Sequence, residues 1–360
     1  SFDKGVPNER GHMNVYLELL KNKTPFIDLR SPIEFAKGTF PQSVNLPILN
    51  NDERAEVGKT YKHHGNAAAV ELGHRMISGD HKELRVSVWK KFIDKNPSTW
   101  MYCMRGGQRS NIAQDWLDDI GVKVPIVTGG YKALRQTSLE TLDSVKDDKK
   151  RWIVLGGRTG TGKTVILNQL ESSIDLEHHA EHRGSAFGGF LSHQPSPIDF
   201  ENRLAIDYIC HDHQTLFLED ESRTIGKVAI PNAWFHRMQN SEMVFIKISL
   251  EERIQNIIDD YILTPLEDGI SKTDLLLSLR SSLMKIQKRL GGDNFRKIRN
   301  KMDRAFLDQE NYRHEAWIKQ LLNVYYDPLY DYQIKSKVNR CIYQSDTKGV
   351  TEFLSGLESV

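Results

Sequence analysis

The stretch Gly157-Arg158-Thr159-Gly160-Thr161-Gly162-Lys163-Thr164 constrains this chain more than any other. It fits G-x4-G-K-[ST] and lies where that motif must lie, between an apolar run, Trp152 to Leu155, and a segment with helical spacing. Its glycines let the backbone curl until successive N–H groups point into one concavity, and the helix N-terminus adds partial positive charge. Lys163 brings a mobile cation to terminal phosphates, and the Thr164 hydroxyl can hold Mg2+. A di- or triphosphate is expected to bind across Gly157 to Thr164.

A chain of 360 residues is too long for one small core, and about 150 residues per domain suggests two. Apolar residues are 39% and charged residues 27%, which argues against wholesale disorder. No stretch reaches the roughly 18–20 uninterrupted apolar residues of a membrane helix. Three scattered cysteines, Cys103, Cys210 and Cys341, suit a reducing compartment, so the cytoplasm is the expected location. Ser1 to His12 reads as the remnant of an expression tag, with Met13 as the natural start.

From residue 13 to about 140, short apolar strands alternate with helical segments, which implies a parallel α/β sheet. Pro25 to Leu29 is the first strand, and Ser31 with Glu34 has the spacing of a capping box. Ser43 to Pro47, Thr99 to Tyr102 and Pro125 to Val127 read as further strands, and Ala67 to Ile93 and Ser110 to Ile120 as helices. Residues 141–151 are polar and charged and read as a linker. A P-loop domain is expected over 152–270, with candidate strands at Ile174 to Leu176, Thr215 to Leu218 and Met243 to Ile248. Ser249 and Glu252 repeat the capping-box spacing. After residue 270 the chain reads as all-helical.

A second chemical signal is Cys103-Met104-Arg105-Gly106-Gly107-Gln108-Arg109-Ser110. A cysteine at a strand end, followed by a loop closing on a helix, sits in a ring of backbone N–H donors. Arg105, Arg109 and the helix dipole favour thiolate over thiol. Such a thiolate can accept sulfur or selenium, or attack a phosphoryl group. Cys210 and Cys341 lack these surroundings and read as packing residues.

Around the phosphate loop, Leu216 to Ser222 is a strand running into acids, so Glu219 or Asp220 could hold the water shell of a Mg2+ ion, with Asp175 and Glu177 competing. Arg183, in the loop His182 to Gly189, could contact a phosphate, while Phe187 and Phe190 could form an apolar wall. Although the whole chain carries a net charge of +1, residues 280–304 hold nine basic side chains against two acids, a local charge of +7. These are Arg280, Lys285, Lys288, Arg289, Arg296, Lys297, Arg299, Lys301 and Arg304. A nucleic-acid backbone would be drawn to such a stripe; a solvated helix face has the same composition.

The first domain resembles a rhodanese domain. Asp28 to Phe35, Gly38 and Ser43 to Pro47 match its front motif, Cys103 to Ser110 its active loop, and Val127 to Tyr131 its closing strand and turn. Arg109 stands six residues after Cys103, one more than in common sulfurtransferase loops. That wider loop resembles rhodanese-fold phosphatases, although Tyr102 replaces their histidine. From Met13 onward the chain resembles the tRNA 2-selenouridine synthase family, through the phosphate loop, His182 to Gly188, Glu219 to Arg223, Arg289 to Gly291 and Tyr325 to Pro328.

The resemblance implies replacement of sulfur by selenium in 2-thiouridine at the tRNA wobble position. Its donors would be geranyl diphosphate and selenophosphate, with S-geranylation preceding selenation and a selenophosphate-supplying enzyme as partner. Cys103 would then carry selenium as a perselenide-type adduct, steadied by Arg105 and Arg109, and the basic stripe would hold tRNA. The alternatives are an ATP-dependent tRNA sulfurtransferase, a P-loop small-molecule kinase with an inert rhodanese module, and an RNA-binding protein with two vestigial sites.

Overall fold

The structure, a computed structural model, describes residues 9–189, 193–307 and 314–358. The chain forms two compact units, Ser1–Leu142 with Ser196–Cys210, and Asp143–Pro195 with His211–Val360. No helix among the described residues is long and apolar enough to cross a membrane.

The first unit is built on three short strands, β1 (Phe26–Asp28), β2 (Ser43–Asn45) and β3 (Trp100–Tyr102), in the order β2-β1-β3 and all parallel. Ile27, Leu29, Trp89, Met101 and Leu117 form its core, and the Trp89 and Trp116 rings stack at 6.1 Å. Pro125 to Val127, expected as a strand, contributes an isolated bridge from Ile126 to Met101. The helix expected over Ala67 to Ile93 is two helices, Asn51–Met76 and Asp80–Lys95. Gly79, at φ 52°, precedes the second, and the first is broken at Gly65, at φ 80°. Both capping boxes are formed as the spacing predicts, Ser31 with Glu34 and Ser249 with Glu252.

Helix Pro197–Cys210 lies within the expected P-loop segment by sequence but groups with the first unit. There Ile206 joins a core of Leu20, Phe26, Phe40 and Tyr102, and Asn202 donates to the Thr39 carbonyl at 2.7 Å.

In the second unit β4 (Arg151–Gly157) lies between β5 (Thr215–Glu219) and, after the small antiparallel pair β6 (Thr224–Ile225) and β7 (Val228–Ala229), β8 (Glu242–Ile246). β9 (Cys341–Ser345) completes a parallel sheet in the order β5-β4-β8-β9. The expectation of an all-helical chain after residue 270 is corrected here. β9 is five residues long and pairs along β8, and helix Thr347–Glu358 buries Val350 and Leu354 against the same core. Ile174 to Leu176 is likewise not a strand. Only Ser173 makes a bridge, to Phe217, and Asp175 caps helix Leu176–Ala180 by accepting from the His178 N–H at 2.8 Å. Between β8 and β9 the helices Lys272–Leu290, Gly292–Leu307 and His314–Leu321 pack on a core that includes Leu283, Ile298 and Trp317.

Candidate functional site

The phosphate loop leaves β4 at its carboxyl end, where open α/β sheets place their ligands. Gly160, at φ 83°, needs glycine twice over, because a Cβ there would also press on the Arg253 carbonyl at 2.7 Å. Helix Leu250–Ile258 pins the loop from behind. Arg253 Nε donates to the Thr159 carbonyl at 2.9 Å and Asn256 to the Gly160 carbonyl at 2.8 Å. Arg253 is itself held by a two-point ion pair to Asp327, at 2.6 and 3.1 Å. The loop is therefore shaped before any ligand arrives.

In front of it lies a cavity of about 460 Å3, lined by Thr159 through Thr164 and by Glu177, Arg183, Glu219, Glu221, Tyr261 and Tyr330. Lys163 reaches back to the Gly157 carbonyl at 3.4 Å, while Arg158 pairs instead with Asp331. Arg183 lines the cavity but donates to the Asp260 carbonyl at 2.6 Å and lies over the Tyr261 ring. Five residues wound as a π-turn, Asp259–Leu263, carry these partners.

Three carboxylates converge on the same cavity. One oxygen each of Glu177, Glu219 and Glu221 lies within 4.8 Å of the others, and the Thr164 hydroxyl is 3.3 Å from Glu177 and 3.4 Å from Glu219. Glu219 is fully buried, and its Oε1 has no hydrogen-bond partner among the described residues. Burial raises the pKa of all three, that of Glu221 to about 8; the Glu177 charge adds to this at Glu219 and Glu221, and Asp175 adds to it at Glu177. Burial opposes the charge on Lys163, but Tyr330 and these carboxylates hold its pKa above the usual value. An orphaned carboxylate oxygen among hard oxygen donors suits a divalent cation such as Mg2+, so the residues present fit that ion.

Asp220, offered in sequence beside Glu219, does not line the cavity; it forms a two-point ion pair with Lys337 at 2.6 and 2.7 Å. The third carboxylate is Glu221 instead. Alternation beyond a strand sends residues i and i+2 to one side, so Glu219 with Glu221 was the pair to choose. Phe187 is buried against Trp317 in the helical core, beside a space of only about 20 Å3, and Phe190 lies outside the described residues.

In the first unit Cys103 follows β3 and is 3% exposed. Gly106, at φ 60°, lets the loop double back under the Val127–Gly130 turn, where any side chain would collide with backbone. Burial would raise the Cys103 pKa, yet it lies below the usual value. The Ser110 hydroxyl, the Arg105 and Gly107 backbone and the Arg109 charge beside the sulfur outweigh burial. Among the described residues the Ser110 hydroxyl has no other hydrogen-bond partner.

Arg109 is forked onto Glu34 at 2.7 and 3.2 Å, a contact the sequence did not announce because Glu34 already served the capping box. Burial alone would raise the Glu34 pKa, but the Arg109 fork, the Ser31 N–H and Arg54 hold it down to about 2. A depressed carboxyl stabilises the fold above its unfolded pKa, about 4.5, and that contribution disappears as pH falls toward 2. Glu34→Gln is therefore expected to cost on the order of 2–3 kcal/mol at neutral pH and to flatten the loss of thermal stability below pH 4.5. Unfolding midpoints across pH 2.5 to 7 check both.

The basic residues divide between two packed helices. Arg280, Lys285, Lys288 and Arg289 lie on Lys272–Leu290, and Arg296, Lys297, Arg299, Lys301 and Arg304 on Gly292–Leu307. The buried faces are apolar, and all nine except the half-buried Arg280 are exposed. Part of the charge is answered locally, since Arg280 pairs with Asp303 at 2.8 Å and Lys297 with Asp293 at 2.7 Å.

Residues 150–359 match the family model described as the tRNA 2-selenouridine synthase AAA domain, and residues 13–137 match the rhodanese-like domain. The chain is 42% identical over 356 residues to the tRNA 2-selenouridine synthase of Marinobacter nauticus, covering 94% of this chain and 96% of that protein. It is 43% identical over 355 residues to the protein of that name from Pseudomonas fluorescens (94% and 96% covered). It is 41% identical over 362 residues to that of Bordetella petrii (96% of each). A rhodanese-like domain and a phosphate-loop domain on one chain, matched over nearly its whole length by these relatives, leave one assignment: the chain belongs to the tRNA 2-selenouridine synthase family.

Proposed function

We propose that this chain is a transferase that replaces the sulfur of a wobble-position 2-thiouridine in tRNA by selenium, through an S-geranylated base. The observation that carries the reading is the pairing, on one chain of this family, of an anion cradle at Lys163 with an activated cysteine loop at Cys103.

In the first step the thiocarbonyl sulfur attacks C1 of geranyl diphosphate. The C1–O bond breaks, diphosphate leaves with the electron pair, and the base loses its N3 proton. Lys163 and the loop N–H groups meet the charge that grows on the leaving diphosphate. Mg2+ held by the Thr164 hydroxyl with Glu177 and Glu219 would supply further neutralisation there.

In the second step selenium adds at C2, the C2–S bond breaks, and geranylthiol leaves. Selenium in selenophosphate is already at the selenide level, so a perselenide on Cys103 would need a two-electron oxidant. The balanced role for the thiolate is attack on phosphorus. The P–Se bond breaks, selenide departs toward the base, and water later cleaves the S–P bond to give phosphate. Arg105, Arg109 and the Ser110 hydroxyl would hold the phosphoryl oxygens in the wide loop. The exposed basic face of residues 280–304 would bind the tRNA backbone, and a cytoplasmic enzyme that makes selenophosphate would be the upstream partner.

The test is nucleoside mass spectrometry of thiolated tRNA incubated with the protein, selenophosphate and geranyl diphosphate. The expected result is conversion of thio- to selenouridine, lost when either donor is withheld. No base change with folded protein and authentic substrates would instead favour the ATP-using sulfurtransferase or kinase alternatives.

A further inference from the structure

The first unit contains a cavity of about 460 Å3 that the steps above leave without a role. Arg105, Gln108 and Arg109 of the cysteine loop form one side of it. The opposite wall comes from helix Asn51–Met76, and residues on both sides of its break at Gly65 contribute, Val57 before and Ala69 and Val70 after. Ile112 and Trp116 of helix Gln108–Asp118 complete the apolar lining.

An inorganic dianion explains only the loop side of this space. Selenophosphate is satisfied by N–H groups and guanidinium ions, and apolar walls add nothing to its binding. The walls are instead suited to a hydrocarbon group attached to something that reacts at the loop, within the size range of ligand pockets. The polar side of the same cavity carries Arg54, Arg105 and Arg109, of which Arg54 and Arg109 are paired with Glu34.

We propose that this cavity seats the isoprenoid tail of the S-geranylated base while its C2 carbon is presented to the Cys103 loop. The assignment rests on the functional reading above and deepens it. The tail then acts as an admission ticket: the loop receives the alkylated base, whose sulfur can leave, and discriminates against bases without the tail. Phe187, one of the two residues of the apolar wall expected from sequence, is buried in the helical core beside a space of only about 20 Å3, too small for such a tail.

The experiment uses the full-length protein, selenophosphate, and synthetic anticodon stem-loops carrying S-geranyl- or S-methyl-2-thiouridine. Burial of the additional carbons predicts that kcat/KM for selenation favours the geranyl substrate by roughly a hundredfold or more. Val70→Trp, which fills the cavity, is expected to lower that preference by about tenfold or more, mainly through KM, and Ile112→Trp to do the same. Equal efficiency with the two RNAs, or a preference unmoved by both variants, overturns the cavity assignment and leaves the functional reading intact. Selenation of neither RNA by the parent protein overturns both.

Discussion

Lys163→Ala is expected to reduce S-geranylation of thiolated tRNA by roughly 10²–10³-fold in kcat, the scale seen when a positioned donor to a developing anion is removed. The leaving diphosphate gathers charge as its C–O bond breaks. Lys163 lines the phosphate cavity, and Tyr330, Glu219, Glu221 and Glu177 favour its charged form. Removing it has a second cost, because it leaves three crowded carboxylates without their cation, and Glu219 is fully buried. Lys163→Arg would keep the charge but not its compact reach, so partial recovery of geranylation would assign the loss to charge placement. Selenation of chemically geranylated RNA is expected to survive in Lys163→Ala, because the Cys103 loop is built by other residues. Unimpaired geranylation in the variant would remove the phosphate loop from the reaction.

Much of this architecture was legible because its constraints are local. A glycine loop between strand and helix, two capping boxes and a cysteine followed by glycines and arginines each act over fewer than ten residues. What the sequence hid depends on distant partners. Asp220 and Glu221 are adjacent acids, and only the β5 alternation separates the one that pairs with Lys337 from the one that meets Glu177. β9 is a short strand at the far side of a helical insertion, and parallel pairing with β8 gives it no turn signal to read. Helix Pro197–Cys210 has an ordinary amphipathic pattern, which says that it must bury a face without saying against which core. The apolar cavity beside the cysteine loop depends on a helix broken at Gly65, a residue that in sequence looks like one more interruption.

Cys103→Ser is expected to leave geranylation intact and to reduce selenation by roughly a thousandfold or more, so that S-geranylated tRNA accumulates. The substitution keeps the size of the side chain and the ring of N–H donors, but a serine hydroxyl stays protonated where the cysteine thiol is depressed toward thiolate. Ser110 and Arg109 would then surround a neutral oxygen and have no nucleophile to support. The two RNA products separate by mass, so the ratio of geranylated to selenated base reads the block directly. Trapping the parent protein with selenophosphate also distinguishes the possible adducts on Cys103: a phosphoryl group carries no selenium isotope pattern, whereas a perselenide does. Selenouridine formed at the parent rate by Cys103→Ser would mean that water or the base itself cleaves selenophosphate, and that the loop holds its anion without covalent help.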